Sequence, residues 1–138
     1  MLATQRLISA QDHSRILTAV DGARNAWSTY APYLDFFRNE LRRARPLPTP
    51  LVPPDVITMN SRFTLADPET GEATCHTLVY PDDGAPEAGR LSVLSPMGAA
   101  LLGARVGQTV CWPGPDRPGV ATVRRLLYQP ESDGDADL

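Results

Sequence analysis

The residues of this chain best able to do chemistry are few, and their spacing limits what they can do. Cys75 and His76 are adjacent; on a strand their side chains would leave opposite faces, so they cannot hold one metal together. Cys111 has no base near it in sequence, and with only His13 and His76 in the chain a thiol–imidazole dyad has no local support. Asp82 and Asp83 lie in "PDDGAPEAG", which reads as a turn rather than as a general acid and base. "GARVG" lacks the context of a phosphate-binding loop, and the chain has no lysine to serve one. No catalytic, metal or cofactor site is therefore expected.

Three other groups suggest binding instead. "SPMGAALLG" begins with Ser95, Pro96 and Met97. Serine suits a helix cap, proline the first helical position, and Gly103 a left-handed stop, so local physics predicts a short helix packed by the small residues Gly98, Ala99 and Ala100. "RNELRRAR" places Arg38, Arg42, Arg43 and Arg45 at the end of an expected helix. There the macrodipole already favours cations, and an anionic partner explains the run equally well. Trp27, Tyr30 and Tyr33 cluster in "WSTYAPY", where aromatics serve either as interface anchors or as packing against a sheet.

The elements that must position these groups fall into two parts. "SAQDHSRILTAVD" starts with Ser9 followed by Asp12, an acidic variant of the capping box, and Gly22 supplies a stop. Pro32 opens a second helix over about 32–45, with Leu34, Phe37 and Leu41 on one stripe. Residues 1–45 thus form an antiparallel helical hairpin, and "RPLPTPLVPPD" is a stiff proline linker, with the boundary at 46–54. Beyond it "DVITMNSRFTLAD", "EATCHTLVYP", "RLSVLS", "QTVCWP" and "VATVRRLLYQP" alternate as five strands, giving an α+β domain over 55–132 built on a bent antiparallel sheet. An acidic tail over 133–138 is expected to fray.

Composition agrees with this division. The 138 residues are 42% hydrophobic and 21% charged, values of a globular chain, while 14 prolines and 10 glycines favour short elements. The net charge of −3 is uneven: residues 1–54 carry seven arginines against four acids, residues 55–138 six against twelve. Two cysteines and no apolar leader point to the cytoplasm, and no apolar run reaches the roughly 18 residues a membrane span needs. No membrane partner is expected.

"DVITMNSRFTL", "TLVYP", "LSVLSPMGAALLGARVGQTVCW" and "LLYQPE", in that order and spacing, resemble the Rnk family of nucleoside diphosphate kinase regulators, relatives of the GreA/GreB transcription factors. The resemblance implies a five-stranded FKBP-like domain around a short helix, behind a helical hairpin. In the Gre relatives that domain docks on RNA polymerase at the rim of the secondary channel, the Ser-Pro region takes part in binding, and acidic residues at a long hairpin tip support RNA cleavage. Here Ser95, Pro96 and Met97 fall on the Ser-Pro region. The tip offers only Asp21, and a helix of about 14 residues spans about 21 Å.

The expectation is a non-enzymatic regulator that binds RNA polymerase and competes with Gre cleavage factors. Two rivals stand beside it. One is a peptidyl-prolyl isomerase lined by Phe63, Tyr80, Trp112 and Tyr128; the other, and secondary, is direct nucleic-acid contact through the arginine-rich second helix, against which the absence of a basic stripe in the larger domain argues. The oligomeric state is left open.

Overall fold

The computed structural model describes residues 6–26, 32–114 and 116–134. Strand β1 (Leu7–Ser9) leads into helix α1 (Ala10–Ala26), and helix α2 (Pro32–Arg43) leads into strand β2 (Arg45–Leu47). Ser9 caps α1 as expected, its Oγ accepting from the Asp12 N–H at 3.1 Å. Gly22, however, is not a stop. The helix runs through it, because one helical glycine costs only about 1 kcal/mol against alanine while Val20 just before it is fully buried. Partners of α1 step backward along α2: His13 Nε2 meets the Leu41 carbonyl at 2.7 Å, and Asp21 accepts from Arg38 Nε at 2.8 Å.

The proline-rich segment is more structured than a bare spacer. Arg45, Pro46 and Leu47 pair in parallel with Leu7, Ile8 and Ser9, and Thr49–Leu51 forms a 3-10 turn. Proline is tolerated in so short an edge pair because only one side of the strand must donate. α2 ends at Arg43 rather than 45 because Arg45 already donates its N–H to the Arg6 carbonyl.

The main sheet comprises β3 (Arg62–Ala66), β4 (Ala73–Val79), β5 (Arg90–Ser92), β6 (Thr109–Trp112) and β7 (Gly119–Tyr128), in the order β5-β4-β3-β7-β6. It is not antiparallel throughout. β5 runs parallel to β4, pairing Thr77, Leu78 and Val79 with Arg90, Leu91 and Ser92, because two 3-10 turns (Pro81–Asp83 and Pro86–Ala88) carry the chain back before it re-enters the sheet. Two register shifts between β3 and β7 add bulges, which bend the pair. The first expected strand is also shorter than its alternating pattern. Val56 and Ile57 pair instead with Arg105 and Ala104, and Asn60, with φ 65°, turns the chain before β3 begins.

Helix α3 (Pro96–Leu101) precedes β6, and α4 (Pro130–Asp133) follows β7, so part of the expected frayed tail is helical. One continuous apolar cluster joins Ile16, Val20, Phe37 and Leu41 of the helices to Phe63, Leu65, Leu78 and Val123 of the sheet and to Leu101 of α3. Burial on this scale contributes about 25 cal/mol per Å² of apolar surface. Among the described residues no helix is long and apolar enough to cross a membrane.

Candidate functional site: an apolar groove beside the Ser-Pro helix start

α3 is built as its residues dictate. Ser95 Oγ accepts from the Gly98 N–H at 3.0 Å and its hydroxyl donates to the Ser92 carbonyl at 2.7 Å, so the side chain is committed to the cap. A Cβ on Gly98 would lie 2.0 Å from the Ser92 carbonyl oxygen, which makes glycine the residue that lets the helix approach β5. Leu102 closes the helix, and Gly103, at φ 81°, takes the left-handed position. Met97 is half-buried and packs against the core, so it is not a free knob. Pro96 instead forms part of a groove.

The groove, about 300 Å³, lies between α2, α3 and β6. Phe36, Pro96, Ala100 and Trp112 supply apolar wall, and Arg6 and Glu40 the charged end. Phe36 is 63% exposed, the more telling because its neighbour Phe37 is buried in the core. Arg6 is stitched across the groove's end: it donates to the Ala99 and Leu102 carbonyls, the latter at 2.9 Å, lies over the Phe37 ring at 5.4 Å and faces Glu40 at 3.7 Å. Burial lowers its pKa from the usual arginine value, and Glu40 opposes that shift. The sequence offered one signal for this site: Phe36 stands off the Leu34–Phe37–Leu41 stripe, an aromatic on what should be a solvated face. Arg6 and Glu40 gave none.

A second polar junction forms around Asp12, in the first turn of α1. Asp12 Oδ2 accepts from the Met59 N–H at 3.3 Å and Oδ1 from the Tyr80 hydroxyl at 3.4 Å. Burial, followed by the charge of Glu131, pushes the Asp12 carboxyl up to about 6, against the hydrogen bonds that favour its ionised form. Burial and the neighbouring Asp12 also push the Tyr80 hydroxyl up. Glu131 itself accepts from Thr58 Oγ1 at 2.7 Å.

The other expected sites are not gathered. Trp27 and Tyr30 lie outside the described residues; Tyr33 belongs to α2, with its side chain outside them. In the basic run, Arg38 is paired with Asp21, and Arg42, Arg43 and Arg45 are exposed at the end of α2 and on β2. Of the four aromatics of the isomerase reading, Phe63 is sealed in the core, Tyr80 is bonded to Asp12, and Trp112 alone lines the groove. His76 stacks on Phe63 at 6.1 Å, and burial lowers its pKa.

The family model of the transcription elongation factor GreA/GreB C-terminal domain matches residues 52–133. The chain is 45% identical over 107 residues, 75% of its own length and 77% of the relative's, to the "Regulator of nucleoside diphosphate kinase" of Escherichia coli (strain K12). It is 39% identical over 56 residues, 41% of the chain and 35% of the relative, to the transcription elongation factor GreA of Desulfovibrio desulfuricans. Among solved structures, a prokaryotic transcription elongation factor GreA/GreB from Nitrosomonas europaea superimposes with a TM-score of 0.75 at 30% identity, over 91% of this chain and 100% of that one. With the Ser-Pro helix in place and the family model spanning the whole sheet, the chain belongs to the GreA/GreB family, in its branch of nucleoside diphosphate kinase regulators.

Proposed function

We propose that this protein regulates transcription without catalysing a reaction, by occupying RNA polymerase at the rim of the secondary channel and competing there with Gre cleavage factors. The supporting observation is the groove: Pro96, at the capped start of α3, shares one apolar wall with Trp112 and faces the exposed Phe36. An exposed aromatic beside a preformed apolar cleft is the kind of anchor that dominates protein interfaces. On this reading residues 55–132 form an FKBP-like docking domain, residues 1–45 a short hairpin carried on the 46–54 segment, and 133–138 a tail.

The hairpin supplies occupancy rather than chemistry. Asp21, the single carboxylate near the tip in the sequence, is engaged by Arg38, and the twelve residues of α2 span about 18 Å at the usual rise. The protein acts in the cytoplasm, where polymerase is. The test is a pull-down on core RNA polymerase with and without a Gre factor. Wild-type protein is expected to bind and to be displaced by the Gre factor. Phe36→Asp is expected to weaken binding at least tenfold with an unchanged melting temperature. Failure of the wild type to bind, or binding indifferent to the competitor, would sink the proposal.

A further inference from the structure

The face of the sheet turned away from the core gathers cations that are scattered in sequence. Register places Arg90 beside Thr77, Thr77 beside Arg62, and Arg62 beside Tyr128, in one row across β5, β4, β3 and β7. The next row is Cys75, Thr64 and Arg125. Arg62 Nε also reaches Cys75 Sγ at 3.4 Å, which sets both on this face. Arg124 is the extra residue at the adjoining register shift, and all four arginines are exposed. Strands about 4.8 Å apart bring the Cα atoms of Arg90, Arg62 and Arg125 within about 10 Å of their nearest neighbour.

Three arginines elsewhere have acidic partners: Arg6 has Glu40, Arg38 has Asp21 and Arg105 has Asp55. Among the described residues none of Arg62, Arg90, Arg124 and Arg125 makes an ion pair. The acids of the β3–β4 turn, Asp67, Glu69 and Glu72, stand at the other end of the face, and so does the exposed Val120, which pairs with Cys111. Between the arginines sit threonines, and Thr64 Oγ1 is buried without a hydrogen-bond partner among the described residues.

We infer that this arginine cluster is a contact surface for the phosphate backbone of single-stranded nucleic acid, read without regard to base sequence. Guanidinium forks match phosphate oxygens, and hydroxyls of a sheet commonly join them. The face has one exposed large apolar side chain near the arginines, Leu127, the extra residue at the other register shift, and no apolar cluster of the sort a protein partner needs. It also has one aromatic, Tyr128, too few for the successive stacking that reads bases on a sheet. Because the groove is built from α2, α3 and the edge strand β6, and none of the four arginines lines it, this surface is separate from the proposed polymerase contact and does not rest on it.

The test is fluorescence anisotropy of a labelled oligouridylate against the full chain as salt is raised. Binding is expected, with a log–log salt slope of about −2 to −3, the value for three or four phosphates on a single strand. The triple variant Arg62→Gln, Arg90→Gln, Arg125→Gln is expected to lose at least tenfold in affinity and most of the slope. Arg125→Glu alone is expected to lose several-fold, and serves should the triple variant not melt like the wild type. Arg42→Gln with Arg45→Gln should change neither. No binding at low salt, a slope untouched by the sheet variants, or polyglutamate displacing the RNA at equal charge concentration would each overturn the inference, the last in favour of an acidic protein.

Discussion

Arg6 and Asp12 fasten the same N-terminal segment to different parts of the larger domain, α3 for one and Met59 and Tyr80 for the other, and they do so by different physics. Arg6 carries a permanent charge and meets a carboxylate, two backbone carbonyls and an aromatic face. Asp12 accepts from the Met59 N–H and the Tyr80 hydroxyl and feels the like charge of Glu131, while the Arg15 side chain reaches Tyr80. The first junction is indifferent to pH across the physiological range, while the second improves when it takes up a proton. A buried charge is stabilising only where its surroundings supply the opposite one.

The largest break in that comparison comes from α3, because Arg6 binds its carbonyls. Gly98→Ala places a Cβ 2.0 Å from the Ser92 carbonyl oxygen, a backbone atom that cannot move alone. The helix must lift from β5, and both of Arg6's acceptors move with it. The expected loss is about 4 kcal/mol or more, at the upper end for point substitutions, read as a collapse of the denaturant midpoint. A melting curve like that of the wild type would refute the close approach.

Arg6→Met keeps the aliphatic stem and deletes the charge. It leaves Glu40 without its cation and the Ala99 and Leu102 carbonyls without their side-chain donor. The expected destabilisation is about 3 kcal/mol, the same at pH 5 and pH 8. Double substitution with Glu40→Gln should recover part of it, since the stranded charge is then gone.

Asp12→Asn sharpens the other side. A carboxyl raised from 3.8 to about 6 by folding binds its proton more tightly in the folded state, so its contribution to stability is complete below about pH 4 and is lost as pH rises through 6. The shift corresponds to about 3 kcal/mol as an upper figure. Relative to wild type, Asp12→Asn is therefore expected to be stabilising at pH 7.5 and to lose that advantage as pH falls toward 4, in urea titrations at several pH values. A difference constant with pH would remove the contrast with Arg6.

Much of this was open to reading along the chain, and the boundary is physical. Ser95, Pro96 and Gly103 declare a helix start and stop because caps act over a few residues, and they stand as expected. Leu34, Phe37 and Leu41 announce their buried stripe for the same reason. What could not be read depends on partners far away in sequence. The β1–β2 pair joins residues separated by two helices, β5 turned parallel because of a loop path, and Arg6 finds acceptors in α3. The basic face follows the same rule: no stretch of the larger domain looks like a basic stripe, yet register assembles one from β3, β5 and β7.

The smallest effect asks whether α1 is held by its two fastenings or by its own helical tendency. Gly22 has the identity of a helix stop, yet it lies inside α1, exposed, with nothing within 4 Å of where a Cβ would stand. Gly22→Ala is expected to stabilise by about 0.5 to 1 kcal/mol, the intrinsic difference between the two residues in a helix. If Arg6, Asp12 and the buried Ile16 and Val20 hold the helix as far as Asp21, the gain stays within that range and adds independently to the effects of Arg6→Met and Asp12→Asn. If the C-terminal turns of α1 instead open on their own, alanine suppresses that opening, and amide exchange beyond Gly22 slows by more than the global gain explains. The first outcome places the control of α1 at its anchored end, where one fastening is permanent and the other answers to pH.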